Sequence, residues 1–425
     1  MAIEQQRLAV VGGGPAGLMA ATVLAEAGHG VELFDAMPKV GRKLLVAGRG
    51  GFNLTHSDPL PEFIARYGEA QPWFAKILDR FSPADLRRWL KEMGIETQIG
   101  SSGRVFPATA TAADLLRAWL ARLKRAGVVF HTGHRWLDLT PEGKLLFRRA
   151  DQEELWVAPA ATVLALGGAS WPKTGSDGSW TSILARHGVK IAPFVPSNCG
   201  FEAAWSETMV NRFAGAPLKN LLLTTSGGQQ QVGELVITGY GVEGGGIYPL
   251  SKPLREELAA TGRAVLFLDL KRDLDEEEVR TRLARPRGKN SLANFLRKQL
   301  RLDGPAYSLL RECCPAEDFN DPSRLAARIK RLPLVFTGIR PLAEAISSAG
   351  GIAMDEVDGV GMLIRLPGVF AAGEMLGWEA PTGGFLLQAA FSTGYCAAQG
   401  LLAWLKSGRV CGQGANLQLI SNSGA

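Results

Sequence analysis

A chain of 425 residues with 46% apolar side chains holds enough core material for two or three domains, which excludes a disordered or fibrous protein. Lysine and arginine exceed aspartate and glutamate by only 47 to 41, so the overall charge speaks for solubility rather than for bulk nucleic-acid binding. The cysteines, Cys199, Cys313, Cys314, Cys396 and Cys411, show no Cys-x-x-Cys spacing; a zinc site is not expected, and reduced thiols in a cytoplasm are.

In chain order, the apolar run from Leu8 leads into Gly12-Gly-Gly14-Pro-Ala-Gly17 and then a small-residue helix. Gly28 is placed to end that helix at Ala27, before a second strand, Val31-Glu-Leu-Phe-Asp35. The fingerprint spacing of the glycines, with no strongly basic region ahead of them, marks a βαβ opening and not a secretory signal. Residues 36 to 57 read as a Gly-rich loop. Residues 73 to 93 and 112 to 126 carry helical periodicity around Trp73, Leu78, Phe81, Leu86, Trp89, Leu90, Leu115, Leu116, Trp119 and Leu123. Strands are expected at 127 to 131, 135 to 139, 144 to 149 and 154 to 166, the middle two joined across Pro141-Glu-Gly143. After Pro193 the texture changes to short β-like stretches at 199 to 204, 220 to 225 and 232 to 238. From Asp273 to Arg331 it turns helical and charged, with Asp275 to Glu278 suited to a helix N-terminus. Residues 341 to 366 return toward strands, Val369 to Ala372 is a short buried strand, and a final helix begins after Gly384. Gln388, Ser392, Thr393 and Gln399 argue against a membrane span there, and the polar tail from Ser407 reads as mobile.

In Gly12-x-Gly14-x-x-Gly17 the first glycine permits the tight turn, the second lets a pyrophosphate approach the backbone, and the third lets helix and strand pack closely. Pro15 and Ala16 open the helix whose free N–H groups would face the phosphates. Asp35, 18 residues after Gly17 at the end of the second strand, suits a ribose diol, while Glu32 reads as exposed. The pattern predicts a bound dinucleotide, NAD or FAD. Two more apolar strands end in glycine, Val163-Leu-Ala-Leu-Gly167-Gly168 and Val369-Phe-Ala-Ala-Gly373-Glu374.

Three such strand ends resemble the two-dinucleotide-type flavoproteins. Gly41-Arg-Lys-Leu-Leu-Val-Ala-Gly48-Arg-Gly-Gly-Phe-Asn53-Leu-Thr55, Gly103-Arg-Val-Phe-Pro107, Ser170-Trp-Pro-Lys-Thr-Gly175 and Pro381-Thr-Gly-Gly384 narrow the resemblance to the BaiN-like, or aminoacetone-oxidase-like, bacterial family. The resemblance implies an α/β fold: a Rossmann-like FAD-binding domain, 1–193 plus 341–425, interrupted by an inserted β-rich, barrel-like domain at 194–340 with a small helical subdomain at 271–331. It implies FAD as cofactor; NAD(P)H docking transiently over the flavin is a candidate reductant. Arg42, Lys43 and Asn53 would lie along the pyrophosphate and flavin side, and Glu374, after Gly373, at the ribityl or pyrophosphate region. Gly167 would end the second strand beside the cofactor. Trp136 falls where related flavoproteins set a backbone group against adenine, with core packing as the alternative. Gly383 and Gly384, ahead of Phe385, would start a helix aimed at the flavin pyrimidine edge, where its partial positive charge would favour the anionic reduced flavin. A plain core helix is the alternative. Where the family commonly has Gly-Arg-Cys-Asn, this chain has Phe52, so a thiol mechanism at that position is not expected.

Other signals remain. Gly239-Tyr-Gly241-Val-Glu-Gly244 repeats the fingerprint, but Pro249 and Pro253 interrupt the stretch after it, so a loop of the inserted domain is expected rather than a second nucleotide fold. His56, His131 and His134 lie near motif segments; His56, just after Asn53-Leu-Thr55, is the only one placed near the flavin, and an exposed loop histidine is the favoured reading of it. No acid–base constellation stands out, so the catalytic residues are left unassigned. Arg280, Arg282, Arg285, Arg287, Lys289, Arg297, Lys298 and Arg301 form a run without an acid, a solvated face or a site for RNA. The expected function is a cytoplasmic FAD-dependent oxidoreductase passing a hydride from a small-molecule substrate or NAD(P)H to flavin N5, with reoxidation by oxygen or another acceptor. An RNA-associated flavoprotein and a flavin-free NAD-dependent dehydrogenase stand as the rivals.

Overall fold

A computed structural model of the chain describes residues 7–48 and 51–408. Arg49, Gly50, Cys411 and the rest of the tail lie outside the described residues. The chain divides into two compact units, one running to Val195 and resuming at Ser348, the other Pro196–Ser347.

The first unit is built on a five-stranded parallel sheet, in the order Val369–Ala371, Thr162–Leu164, Leu8–Val11, Val31–Asp35, Val129–Thr132. Its strands Leu8–Val11, Thr162–Leu164 and Val369–Ala371 are buried at every position, which is why they read as unbroken apolar runs without alternation. The helices Pro15–Glu26 and Phe385–Lys406 pack closely on each other. Gly394 makes that approach possible, since a Cβ there would stand 2.2 Å from the Ala16 carbonyl oxygen. Trp119, on the helix Ala112–Arg125, stacks on Phe391 and donates its indole N–H to Thr22 Oγ1 at 2.8 Å, so even this buried polar atom is paired.

The helical stretch expected over 73 to 93 is two helices, Gln71–Arg80 and Pro83–Glu92. Ser82 caps the second through a reciprocal pair of hydrogen bonds with Asp85, and Pro83 occupies its first position. The periodicity hides the break because Phe74, Ile77 and Leu78 on one helix and Leu86 and Leu90 on the other bury into one core. The loop expected over 36 to 57 contains a short helix, Arg42–Ala47, and a short strand, Thr55–His56. The long strand expected at 154 to 166 is also two: Glu154–Val157 pairs antiparallel with Leu145–Arg149, and Thr162–Leu164 joins the parallel sheet beyond Pro159. Between 341 and 366 the described strand is Ser347–Ile352, with turns after it.

The second unit carries a seven-stranded antiparallel sheet, ordered Leu332–Phe336, Ala264–Asp269, Pro217–Thr225, Gln230–Ile237, Gly241–Glu243, Phe201–Glu202, Gly338–Ile339. Its two edge strands are separated in sequence by Thr337 alone, so the sheet has to curl until its edges adjoin, as in a barrel. Phe201, Leu223, Ile237, Leu266 and Phe336 fill it. Helices Glu276–Leu283, Leu292–Leu300, Gly304–Cys313 and Pro322–Lys330 form the helical part. Two helices the sequence did not announce, Glu207–Phe213 and Ser251–Thr261, lie within the β-rich stretch. Among the described residues no helix is long and apolar enough to cross a membrane.

Candidate functional site

Ligands of open parallel sheets gather at the carboxyl ends of the strands, and here the carboxyl ends carry Gly12, Gly167 and Gly373. Gly12 has φ +107, and a Cβ on it would lie 2.2 Å from the Ala165 carbonyl oxygen. A Cβ on Gly17 would come within 1.9 Å of the Gly12 oxygen. Gly14 differs: its φ of −82 suits any residue, and nothing stands within 4 Å of where its Cβ would be. The first and third glycines of the fingerprint are therefore required by the fold, and Gly14 opens onto free space at the helix N-terminus. Pro15 comes next, at a position that needs no N–H, and the first-turn N–H groups of Ala16 and Gly17 have no helical acceptor, as an anion cradle requires. Gly13, an unspecified position of the fingerprint, is also constrained: a Cβ there would stand 2.4 Å from Val40 and 2.8 Å from Asp35 Oδ2.

Asp35 accepts the Gly13 N–H on Oδ2 and the Met37 N–H on Oδ1, both at 2.7 Å. Each oxygen keeps a lone pair for a hydroxyl, which fits a ribose diol. Burial pushes its carboxyl above the ordinary aspartate range, against the pull of those two N–H groups and the Arg42 charge. A raised value means that the carboxylate is lost earlier as pH falls. Acidification is expected to release bound dinucleotide with a midpoint above the ordinary value of about 3.9, read by the rise of free-flavin fluorescence. Asp35→Asn should bind more weakly and lack this step; an unchanged midpoint in the variant would remove Asp35 from the account. Glu32, expected exposed, is instead largely buried: it pairs with Arg7 at 2.5 Å and with His131 Nε2 at 3.2 Å on the neighbouring strand. His131 stacks on Phe34, and its pKa is lowered, chiefly by burial and with the charges of His134 and Arg7 adding to it, against the pull of Glu32. The Gly133 N–H donates to the Met37 carbonyl, which brings backbone just before Trp136 beside the Asp35 turn. The Trp136 side chain itself is 5% exposed in the antiparallel sheet 134–157, its indole nitrogen without a partner.

Lys43 Nζ donates to Glu374 Oε2 and to Ser170 Oγ, each at 2.7 Å. Glu374 Oε1 accepts the Ser348 N–H at 2.8 Å, and Ser348 Oγ accepts the Ala169 N–H at 3.1 Å. This network joins the short helix Arg42–Ala47, the ends of the second and third glycine-ended strands, and a segment to which the sequence alone assigned no role. Ser348 was missed although a signal existed: Gly350 and Gly351 both have φ +102, and their Cβ positions fall 2.3 Å from the Pro193 and Met375 carbonyl oxygens. Gly373 donates its N–H to Thr393 Oγ1 and accepts the Trp378 indole N–H, which fixes the third strand end. Gly167 accepts the Trp180 indole N–H. Arg42 reaches the Lys173 carbonyl at 3.3 Å and leaves its buried Nε without a partner.

The helix Phe385–Lys406 starts from Gly383 and Gly384, both at positive φ, and a Cβ on Gly384 would lie 2.3 Å from the Thr55 carbonyl oxygen. The structure thus sets the 53–55 segment beside the free N–H groups of this helix. Asn53 Oδ1 and Thr55 Oγ1 are buried there without hydrogen-bond partners in the protein. Orphaned buried polar atoms carry a cost unless a ligand pairs with them, and these fit a polar cofactor edge. Tyr67, fully buried, donates its hydroxyl to the Phe385 carbonyl at 2.9 Å and so pins the helix start. His56, expected as an exposed loop residue, is packed instead: it stacks on Phe385, its Nε2 lies 2.9 Å from the Ser102 carbonyl, and its Nδ1 lies 2.9 Å from Asp58 Oδ1. The strand pairing of Thr55–His56 with Arg104–Pro107, not visible in sequence, turns it inward.

Phe52 is a core residue, 8% exposed, so the family's cysteine position holds packing here. The described cysteines are free, and burial raises Cys396 and Cys313 to about 12 and Cys314 to about 11, which leaves none of these three as a ready thiolate. The second fingerprint forms the antiparallel strand Gly241–Glu243 between Gln230–Ile237 and Phe201–Glu202; without a helix directly after its turn it makes no phosphate cradle.

A family model described as "HI0933-like protein Rossmann domain" matches residues 6–400. The chain is 25% identical over 410 residues to the 3-dehydro-bile acid delta(4,6)-reductase of Clostridium scindens, covering 92% of this chain and 98% of that one. It is 25% identical over 409 residues to the ribosomal RNA dihydrouridine synthase of Escherichia coli, covering 93% and 97%. Among solved structures, 3-ketosteroid delta1-dehydrogenase from Sterolibacterium denitrificans superposes with a TM-score of 0.53 at 14% identity, over 93% of this chain and 99% of that one, a likeness of fold.

Proposed function

The chain belongs to the HI0933-like Rossmann family and is an FAD-dependent oxidoreductase, and from that premise we propose that it is a reductase that saturates a carbon–carbon double bond conjugated to a carbonyl. The observations that support the flavin part of the reading are the open cradle at Gly14, the Lys43–Glu374 pair, and the start of the Phe385–Lys406 helix beside the unpartnered Asn53 and Thr55 side chains. When bound, FAD supplies the two-electron chemistry that couples reductant to acceptor. Asp35 would hold the ribose, the first turn at Ala16 and Gly17 the phosphates, and Glu374 with Lys43 the chain of hydroxyls between phosphate and ring. The positive end of the Phe385 helix would stabilise negative charge on the ring edge, and Asn53 and Thr55 would pair with its polar groups.

The names of two relatives guide the choice of acceptor, because a delta(4,6)-reductase and a dihydrouridine synthase each add hydrogen across a carbon–carbon double bond. In the proposed balance NAD(P)H gives up a hydride and becomes NAD(P)+, and the double bond gains a hydride at the carbon β to the carbonyl and a proton at the α carbon. The test is the visible spectrum of the holoprotein under anaerobic conditions. Flavin bands should bleach on addition of NADH or NADPH and return when a 4-ene-3-ketosteroid or another conjugated enone is added. Bands that bleach but return only with oxygen would sink the enone reading in favour of an oxidase, and bands that do not bleach would remove NAD(P)H as the reductant.

A further inference from the structure

The helix Glu276–Leu283 buries Val279 and Leu283, and the helix Leu292–Leu300 buries Phe295, Leu296 and Leu300. With their apolar sides committed, both helices and the turn between them present Arg285, Arg287, Lys289, Arg297, Lys298 and Arg301 to solvent, with Arg282 half-buried among them. Seven cations close together repel one another, and a surface kept for solubility mixes signs. Elsewhere the chain does mix them: Arg280, on the same helix, pairs with Glu277, Arg328 with Asp318 and Arg340 with Glu202 and Glu344.

On this face the partners are neutral. Arg285 donates to Gln299 Oε1 at 3.2 Å, Lys298 to Asn290 Oδ1 at 2.8 Å, and Arg297 to Asn294 Oδ1 at 3.2 Å. Arg282 reaches the Gln299 carbonyl at 3.5 Å. Among the described residues none of the seven forms an ion pair with a carboxylate. The amides hold the long side chains in place and leave their charge uncompensated. Arg282 and Arg285 both reach Gln299 on the second helix, so the two ends of the basic run converge in space, with Asp273 and Asp303 near Lys271 at its margin.

We propose that this acid-free basic face, spanning Arg282 to Arg301, is a docking surface for the phosphate backbone of structured RNA. Guanidinium forks match phosphate oxygens, and five of the seven cations are arginines. The one aromatic residue in the run, Phe295, is buried, so bases are not stacked here and the contact is to the backbone. The choice of RNA over other polyanions rests on the reductase reading above, since uracil carries a double bond conjugated to a carbonyl.

The experiment uses the FAD-loaded full chain and a fluorescently labelled RNA stem-loop containing uridine, with anisotropy measured from about 50 to 300 mM salt. Each phosphate neutralised contributes roughly 0.7–0.9 to the log–log salt slope. Arg285→Glu, Arg287→Glu and Lys298→Glu combined should weaken binding by roughly 100-fold at low salt and reduce the slope by about 2–3. The corresponding triple glutamine variant, with less risk to the fold, should fall between. Flavin bleaching by NAD(P)H should be unchanged in both variants. Absence of RNA binding by the wild type, equal binding by the glutamate variant, or tighter binding to vesicles rich in phosphatidylserine or to a DNA duplex of equal length would each overturn the proposal. Because bleaching and enone turnover are read separately, failure of the reductase reading shows there and not in the anisotropy.

Discussion

Gly14→Leu is expected to yield a folded chain that no longer retains FAD. The backbone at Gly14 is extended, with φ −82 and ψ −178, so a side chain strains nothing, and the space around its Cβ position is open. That space is where a pyrophosphate must approach the first-turn N–H groups. Two charge-assisted hydrogen bonds lost at about 1.5–3 kcal/mol each correspond to a weakening of roughly 100-fold or more. The expected outcome is a colourless protein after purification, with a thermal midpoint equal to that of wild-type apoprotein. Gly17→Leu provides the contrast, since its Cβ would fall 1.9 Å from the Gly12 oxygen and the chain itself should fail to fold. A yellow Gly14→Leu protein with wild-type affinity would place the phosphates elsewhere.

Gly394→Ala is expected to destabilise the first unit strongly although alanine favours helices by about 1 kcal/mol over glycine. The new methyl would lie 2.2 Å from the Ala16 oxygen and 2.9 Å from its carbonyl carbon, and backbone cannot step aside as a side chain can. Overpacking of this kind costs roughly 3 kcal/mol, net of the helix gain about 2 kcal/mol, or a fall of roughly 4–8 °C in Tm. Because Ala16 is in the first turn of the phosphate cradle, FAD retention should fall with it. Gly400→Ala on the same helix meets the side chains of Val360 and Phe370 instead, at 2.5 and 3.0 Å, and a smaller loss is expected. Equal melting curves for the two variants would mean that the close crossing of the two helices is not what holds them.

The basic run, the fingerprint glycines, Asp35 and the two later glycine-ended strands were all legible in the sequence. Each is a local requirement: a turn that excludes Cβ, an acid at a strand end, an apolar run buried on both faces. The capping pairs Thr111 with Asp114 and Asp275 with Glu278 are equally local and mark where helices begin. Other features depend on residues far apart in the chain. Lys43 meets Glu374 across 331 positions, Tyr67 reaches Phe385 across 318, and Gly394 makes room for Ala16. His56 turned inward and Glu32 became paired because neighbouring strands covered them, and one apolar periodicity concealed two helices because both face the same core. Residue type and spacing determine what the backbone does within a few turns. Which side chains share a site is decided by the path of the chain, since hydrogen bonds and close packing act over a few ångströms whatever the separation in sequence.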